Sequence, residues 1–586
     1  MEVRDYNSAI GRGTMSMLKN PNEPISNLEI GTVIEVDGTH IVAELAQKIT
    51  ELTRVYRGVI YPIGQFGSII KIHYGARLIF AYVGRLRMKS EYEREKGLVP
   101  ESNGTARIIE ADLFGEGEWL FDTDKKEWKL SFERGVTTFP LPQQKIYLTP
   151  RSDLRFIYGE GAGSVILLGE HVGSGGTPCY AEMNELLGKH TAILGSTGAG
   201  KSGTVAAILH AILDRGREAG HENWHPQIIV LDPHNEYGAA FPDHVRLCTD
   251  ENSLRLPYWL LNLQETINLL IGKTEFVATS QANIVKNALL QARQEAAESL
   301  ALDKDSINVD SPIPYSLDAF RNNVANDVNK PSAPSKQEPW NSILSKLEVL
   351  TNDSRLAFMM QEWDGGADPF AEIMKQFLGD RDPIRIVDLS GVPNEVAGSA
   401  SSAIARTLFS IKLWQTREER ERNPVLLVCE EAHRYVPNRG EAQYEAAQDA
   451  IRRLAKEGRK YGIGLMLVSQ RPSEVEATVL SQCNSWIVLR ITNDSDRSHV
   501  QGILPDSLAG LTKVLSGLRR REAIFVGQAA VLPSRIFIRD LVKDGKPLPR
   551  SQDISFDLGW QNSPITDEDL MEVGKRWRLQ NRNIEM

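Results

Sequence analysis

One stretch, Gly195-Ser-Thr-Gly-Ala-Gly-Lys-Ser202, has the residue types and spacing G-x-x-x-x-G-K-[ST] of a phosphate-binding loop. Its glycines allow consecutive backbone N–H groups to turn inward around a phosphate. The Lys201 ammonium then reaches the β- and γ-phosphate oxygens, and the Ser202 hydroxyl is a ligand for Mg²⁺. We therefore predict a site for ATP and Mg²⁺. The predicted nucleotide-binding residues are Gly195, Ser196, Thr197, Gly198, Ala199, Gly200, Lys201, Ser202 and Gly203.

A pair of acidic residues ends a second apolar segment, 425–429. In an ATPase with a phosphate loop, Glu430 would hold Mg²⁺, through water, and Glu431 would orient or deprotonate the attacking water. The other interpretation is an acidic first turn of the next helix, which the helix dipole would stabilise. The phosphate loop upstream favours the catalytic interpretation.

Three further polar residues are candidates for phosphate contacts. Gln470 follows a predicted strand next to the acidic one, where an amide can contact the γ-phosphate, although spacing alone equally allows a capping or loop amide. Arg459 lies on a basic helical segment, and a solvated helix face is the usual place of such a residue. Arg434 and Arg439 lie in a predicted loop that could face DNA phosphates, or they are ordinary exposed arginines.

The elements that must position these residues alternate between apolar strands and helices from about residue 151 onwards, which predicts an α/β core with a parallel sheet. The strand at 228–231 is apolar throughout, as expected when both faces are buried, and we predict that its carboxyl end lies beside the phosphate loop. Before this core, many short β segments with Gly or Pro between them predict a small barrel or sandwich.

A helical region interrupts the alternation at 255–380. Asn262 and Glu265 have the spacing of a capping box, a long helix is predicted at 275–302, and a polar linker is predicted at 303–338. The predicted organisation is an N-terminal arm (1–27), a β-barrel for assembly or partner docking (28–150), the ATPase core (151–254 and 381–542), the inserted helical subdomain (255–380) and a tail that packs on the core or a neighbour (543–586).

Composition limits the possible classes. A chain of 586 residues is too long for one hydrophobic core, and 41% hydrophobic with 25% charged residues is typical of a soluble protein. The net charge of −10 argues against a generally polycationic binder, so nucleic acid would need a local basic surface. There is no signal-peptide pattern, no long apolar run and no paired cysteine spacing, and we expect a cytoplasmic protein with reduced thiols.

These motifs, in this order, resemble the HerA family of the FtsK-HerA branch of RecA-like ATPases. The resemblance rests on the phosphate loop, Asp232-Pro-His-Asn-Glu-Tyr237, Glu430-Glu-Ala-His433, Glu457-Gly-Arg-Lys-Tyr-Gly462 and Ser469-Gln-Arg-Pro472. It implies an N-terminal barrel of the HAS type and a homohexameric ring that hydrolyses ATP between subunits while moving double-stranded DNA. It also implies that Arg459 is an arginine finger for the neighbouring subunit and that Lys189 is a basic residue near the interface.

Two positions depart from the family pattern. Asn235 replaces the usual glycine of the Asp-Pro-His motif, and because Asn tolerates a left-handed backbone we expect the turn to be kept. Glu430 stands where related ATPases commonly have Asp, and we expect its longer side chain still to reach Mg²⁺ with an altered water geometry.

The resemblance implies a DNA translocase or helicase that works with a partner nuclease or a Sir2-like effector docked on the barrel, in DNA end processing or in defence against phage. An alternative is an ATP-gated ring scaffold that assembles and activates a partner enzyme. A third hypothesis, protein remodelling, lacks an evident substrate-binding domain. Replacing Glu431 by Gln would separate motor from scaffold, because only a motor needs hydrolysis for its output.

Overall fold

A computed structural model describes residues 21–65, 67–100, 105–123, 126–158, 163–172, 176–218, 220, 224–249, 253–271, 278–328, 338–379, 382–391, 394–438, 445–503, 514–550, 554–561 and 564–579. The chain forms two compact units. One is built from the chain up to residue 162 together with 170–178, and the other from 163–169 and from 179 onwards. Among the described helices, none is long and apolar enough to cross a lipid bilayer.

The first unit is a closed antiparallel β-barrel. Its elements are β1 (Glu29–Asp37), β2 (His40–Leu45), β3 (Thr53–Tyr56), β4 (Val59–Pro62), β5 (Ile69–Tyr74), β6 (Arg77–Met88), α1 (Lys89–Glu95), β7 (Arg107–Asp122), β8 (Glu127–Arg134), β9 (Lys145–Leu148) and α2 (Arg151–Ile157). Six strands pair in the order β2-β1-β9-β5-β6-β7, and β7 pairs back with β2. β8 extends the sheet from β7, and β3 pairs with β4 alone. The predicted barrel is therefore confirmed.

The first hairpin forms at its Asp-Gly signal, whereas the glycines within β7 do not end that strand. Asp37 pairs with His40 around Gly38, which has a φ of +57°, as the Asp-Gly signal predicts. Two of the predicted short β segments, at 106–110 and 118–121, do lie in a strand, but both belong to the single long strand β7. A Cβ at Gly115 would lie 2.5 Å from the Phe132 ring of β8, so glycine there allows a close cross-strand contact and does not break the strand.

A buried ion pair joins β5 to α2 inside the first unit. Lys71 Nζ lies 2.6 Å from Asp153 Oδ2, and both side chains are at most 5% exposed. We expect Lys71→Met to lower the free energy of unfolding by about 3–5 kcal/mol, because it leaves the Asp153 carboxylate buried without a partner. Urea denaturation with proteolysis of the unfolded fraction, followed by fragment identification, would report on this unit separately.

The control for this prediction is the double variant Lys71→Met/Asp153→Leu. It removes both charges and should recover most of the stability that the single variant loses. A double variant as unstable as Lys71→Met would contradict the explanation by an unpaired charge.

The second unit is built on one sheet of eleven strands. Its strands are β10 (Val165–His171), β11 (Thr177–Glu182), β12 (Thr191–Leu194), β13 (Gln227–Asp232), β14 (Val245–Cys248), β15 (Ile384–Asp388), β16 (Val425–Cys429), β17 (Ile463–Ser469), β18 (Ser485–Leu489), β19 (Glu522–Gly527) and β20 (Ser534–Ile538). They are ordered β11-β10-β20-β19-β18-β12-β17-β16-β13-β15-β14. From β18 to β14 every pairing is parallel, and β19 and β20 are antiparallel, which confirms the predicted α/β class.

Two apolar clusters cover the faces of this sheet. Along β13, Ile228 and Val230 enter one cluster while Ile229 and Leu231 enter the other, so the strand is buried on both faces as predicted. The helices are α3 (Met183–Gly188), α4 (Lys201–Glu218), α5 (Leu263–Leu270), α6 (Ala278–Ser299), α7 (Leu317–Val328), α8 (Glu338–Asn352), α9 (Phe370–Leu378), α10 (Asn394–Trp414), α11 (Arg417–Arg422), α12 (Glu445–Glu457), α13 (Ala477–Leu480), α14 (Asp494–Ile503), α15 (Phe556–Trp560) and α16 (Asp567–Leu579).

The inserted helices α5 to α9 share one apolar cluster with a face of the sheet. The capping box at the start of α5 is confirmed, since both reciprocal hydrogen bonds of Asn262 and Glu265 are present. The polar linker predicted at 303–338 is wrong in part, because α7 lies within it. Phe320 and Val324 are four residues apart on that helix, and both are buried in the cluster.

Candidate nucleotide site

The predicted phosphate loop connects the end of β12 to the start of α4. Gly198 and Gly200 have φ values of +73° and +108°, conformations that turn backbone N–H groups into the loop and that favour glycine. The α4 helix begins at Lys201, whose side chain is 8% exposed. Burial lowers the pKa of Lys201, while three nearby carboxylates, those of Glu430, Glu431 and Glu236, act in the opposite direction.

The sheet order sets which strand ends lie next to this loop. β12 has β17 on one side and β18 on the other, and β16 follows β17. The carboxyl ends of these parallel strands therefore present Gln470 and Glu430–Glu431 on the same side of the loop. The prediction that the end of β13 lies beside the loop is wrong in part: β17 and β16 stand between β13 and β12, but the turn after β13 still reaches the site through Glu236 and Tyr237.

Glu430 and Glu431 are both buried at the end of β16. Tyr237 donates a hydrogen bond from its hydroxyl to Glu430 Oε2 at 2.7 Å, and burial raises the pKa of Glu430 to about 8. Burial also raises the pKa of Glu431, whose backbone is left-handed with a φ of +53°. This uncommon conformation turns the chain sharply at Glu431, just after the end of β16.

Gln470 joins Glu431 to the phosphate loop. Its Nε2 donates a hydrogen bond to Glu431 Oε1, and its Oε1 accepts one from Thr197 Oγ1 at 2.6 Å. The carboxylate therefore has one oxygen fixed by the amide, while its buried Oε2 accepts no well-formed hydrogen bond and has His433 Nδ1 at 3.3 Å. Of the two interpretations of Gln470, this geometry favours a place beside the terminal phosphate over a helix cap.

The residues at the loop fit a divalent cation. Two buried carboxylates and the Ser202 hydroxyl at the start of α4 are oxygen donors of the kind that Mg²⁺ takes together with substrate phosphates. Ser202 is partly exposed, as a ligand to an incoming Mg²⁺–nucleotide must be. Glu236 adds a third carboxylate close enough to act on Lys201.

The turn after β13 supports Glu430 from the next strand. Asp232 accepts hydrogen bonds from the backbone N–H groups of His234 and Tyr237 at 3.2 and 2.9 Å, which closes the turn. Asn235 lies in this turn with a φ of +54°, so the expectation that asparagine keeps a left-handed backbone is confirmed. The turn thereby holds the Tyr237 hydroxyl against Glu430.

Substitutions at Asn235 test the conformational requirement of this turn. We expect Asn235→Ala to lower the free energy of unfolding by about 1 kcal/mol, because a Cβ without a local hydrogen bond disfavours the left-handed region, whereas Asn235→Gly should change it little. Thermal unfolding of the three proteins, with the KM for ATP as a second readout, measures the effect. Equal stability of the Ala and Gly variants would contradict the requirement for positive φ.

Of the two predicted DNA contacts, the structure describes Arg434, which does not lie in an exposed loop. Arg434 lies in a short 3-10 turn, half-buried, and its Nη2 donates to His234 Nε2 at 3.1 Å. Its charge opposes the rise that burial causes in the pKa of Glu431, so Arg434 belongs to the surroundings of the acidic pair. This placement does not support a pore contact for Arg434. Arg439 lies outside the described residues.

Arg459 and Lys189 lie at the opposite edge of the sheet from Glu431. Arg459 is exposed in the 3-10 turn that precedes β17, and Lys189 comes just before β12. At about 3.3 Å per residue, the seven residues of β17 separate Arg459 from Gln470 by roughly 20 Å. No hydrogen bond or ion pair of the Arg459 side chain occurs within the described parts of the chain, whereas Lys189 Nζ lies 2.6 Å from Glu185 Oε2.

For several residues at the site, the sequence did not reveal which residue each one contacts. Tyr237 and His234 belong to a motif that the sequence did reveal, but their partners Glu430 and Arg434 lie about 200 residues away. Thr492, whose backbone N–H donates to Ser196 Oγ at 3.1 Å, follows a strand that sequence reasoning placed only in the core. These contacts depend on which strands are neighbours in the sheet, and residue spacing in the sequence does not reveal that order.

Sequence comparisons relate this chain to helicases. Residues 166–408 match the family described as "Helicase HerA, central domain". A probable helicase of Methanocaldococcus jannaschii is 25% identical, over 67% of this chain and 70% of the relative. The DNA double-strand break repair helicase HerA of Pyrococcus furiosus is 26% identical, over 61% of this chain and 66% of the relative. The solved structure of VirB4 of Thermoanaerobacter pseudethanolicus is 17% identical with a TM-score of 0.48, over 66% of this chain and 99% of that one.

Proposed function

Since residues 166–408 of this ATP hydrolase belong to the HerA central-domain family, we propose that the protein is a homohexameric motor that moves double-stranded DNA. Curated relatives over about two thirds of the chain are named as DNA repair helicases. The proposed substrates are ATP with Mg²⁺ and duplex DNA, and the proposed partner is a nuclease or a Sir2-like effector, in DNA end processing or antiphage defence.

The observation that carries the ring is the separation of Arg459 and Lys189 from the acidic pair. Both cationic groups lie at the amino-terminal edge of the parallel strands, roughly 20 Å from the carboxyl-terminal edge that holds Glu431. Neither can reach a nucleotide bound in its own chain. A second copy placed head-to-tail can bring them to it, and repetition of such a contact closes a ring when the rotation allows.

Within one site, the residues divide the work as follows. Lys201 and the loop N–H groups hold the β- and γ-phosphates, and Ser202 and Glu430 would hold Mg²⁺, which neutralises phosphate charge. Glu431, oriented by Gln470, takes a proton from the attacking water. The hydrogen bond from Thr197 to Gln470 couples this orientation to the loop. Arg459 of a neighbouring copy stabilises the charge that develops on the transferred phosphoryl group.

The barrel is the proposed docking unit for the partner. On the isolated β3–β4 ribbon, Val55 and Ile60 are 62% and 63% exposed, and Val99 is 91% exposed after α1. Apolar side chains exposed on the surface of this barrel favour a protein contact over a chemical role. This part of the proposal concerns a surface and is independent of the ATPase site.

Stimulation of ATP hydrolysis by linear duplex DNA tests the motor. We expect the rate to rise several-fold with duplex DNA and to fall back steeply as salt is increased, because phosphate contacts release counterions. Size measurement by light scattering, with and without nucleotide, tests the hexamer in parallel. A protein that hydrolyses ATP but never responds to DNA, alone or with its partner, would instead support the scaffold alternative.

A further inference from the structure

The residues described so far account for only one end of a bound nucleotide. Gln470 and Glu431 follow β17 and β16, so the terminal phosphate lies on that side of the phosphate loop. The α-phosphate, sugar and base must therefore leave the loop away from Gln470. On that other side the sheet continues with β18 and then β19.

Two short segments from these strands are tied to the outside of the loop. After β18, the carbonyl of Arg490 accepts a hydrogen bond from the Ser196 N–H at 2.8 Å, and Thr492 N–H donates to Ser196 Oγ at 3.1 Å. Before β19, Arg521 N–H donates to the carbonyl of Ala199 at 3.0 Å. A Cβ on Gly200 would lie 3.4 Å from the same backbone nitrogen, so the segment touches the loop itself.

The second of these segments is a run of three arginines, Arg519-Arg520-Arg521. Arg521 Nη1 lies 2.6 Å from Asp540 Oδ2, and its backbone has a left-handed φ of +66° that turns the run at the loop. The side chains of Arg519 and Arg520 are exposed, and neither makes a hydrogen bond or ion pair with any described residue. The nearest acid in sequence, Glu522, is paired with Arg535.

Two unneutralised guanidinium groups are thus held beside a loop that receives a polyanion, on the side away from the hydrolysis residues. Guanidinium groups bind phosphate oxygens through paired hydrogen bonds, and their planes stack on aromatic rings such as a purine. A general surface charge would not need to be anchored to the loop by its backbone. The anchoring instead holds the backbone of Arg521, directly after these two arginines, against the loop that binds the phosphates.

We propose that Arg519 and Arg520 bind the nucleoside end of ATP, with a guanidinium on the base and the α-phosphate, while Lys201 and Glu431 act at the other end. This inference rests on the proposed ATP site and adds the residues that would make it selective for a nucleotide over a simple polyphosphate.

The test compares nucleotide with inorganic tripolyphosphate. For R519A/R520A in the full chain with Mg²⁺, we expect the Kd for ATP and for ADP, measured by titration calorimetry, to rise about 10- to 100-fold. Competition by tripolyphosphate should weaken by a clearly smaller factor than ATP binding, since tripolyphosphate loses only the contact at the α-phosphate position and has no base or sugar to lose. In steady-state assays KM should rise while kcat changes little, because the terminal phosphate is held by other groups.

The matched control is R321A/R355A, which removes two arginines from the surface of the inserted helices and changes the net charge equally. It should bind ATP as the unchanged protein does. R519K/R520K keeps the charge without the planar group and should remain weaker than the unchanged protein for ATP. Equal losses for ATP and tripolyphosphate, or unchanged ATP binding in R519A/R520A, would overturn the inference. Absence of ATP binding in the unchanged protein would overturn the proposed function instead.

Discussion

Glu431→Gln is expected to lower the rate of ATP hydrolysis by about 10²- to 10⁴-fold, the usual contribution of a positioned general base. The amide is nearly isosteric, and Gln470 can still hydrogen-bond to it, so the loop and the nucleotide contacts should persist. Single-turnover hydrolysis of ATP, together with the Kd for ATP, separates chemistry from binding. We expect the Kd to stay within a few-fold of its original value.

The control for this substitution is Glu474→Gln. Glu474 is a nearby exposed carboxylate paired with Arg471 at 2.8 Å, and its loss should leave hydrolysis unchanged. If Glu431→Gln retained more than half of the hydrolysis rate, the base would have to be another group, and Glu236 would be the next candidate. Partner activation by the ATP-bound Glu431→Gln protein would favour the scaffold hypothesis over the motor.

Local patterns predicted the parts of the site that lie within one strand-and-loop unit. The phosphate loop and the acidic pair could be found because each is a short run whose chemistry depends on neighbours in sequence. The left-handed turn at Asn235 was also predictable, since residue type alone decides which side chains tolerate that backbone. Buried strands such as β13 followed from their continuous apolar residues.

Contacts between distant segments could not be predicted in this way. The hydrogen bonds of Tyr237 to Glu430 and of Arg521 to the loop depend on the order of strands in the sheet, which spacing does not contain. Helix α7 was missed because half of its twelve residues are Asp, Asn or Arg, although Phe320 and Val324 are placed to enter the core. The glycines between short β segments suggested strand ends, but Gly115 lies inside β7, where it allows a close cross-strand contact.

Arg459→Ala is expected to lower ATP hydrolysis by about 10³- to 10⁵-fold, the range known for arginine fingers. The reason is geometric, since Arg459 lies at the edge of the sheet opposite to Glu431 and can act only on a neighbour's nucleotide. Arg459→Lys should recover little, because an ammonium lacks the planar fork of a guanidinium. Steady-state ATPase assays at saturating ATP measure both variants, with exposed Arg417→Ala as the control.

Mixing two inactive variants provides the decisive form of this prediction. A subunit with Arg459→Ala keeps its own Glu431, and a subunit with Glu431→Gln keeps its Arg459. The two variants can be brought into one ring by unfolding and refolding them together or by subunit exchange. Where the loop and Glu431 of an Arg459→Ala subunit face the Arg459 of a Glu431→Gln subunit, the interface has every required group. Hydrolysis should therefore reappear in the mixture although neither protein is active alone. If Arg459 served its own chain, or only stabilised the turn before β17, every site in the mixture would still lack one group and no activity would return.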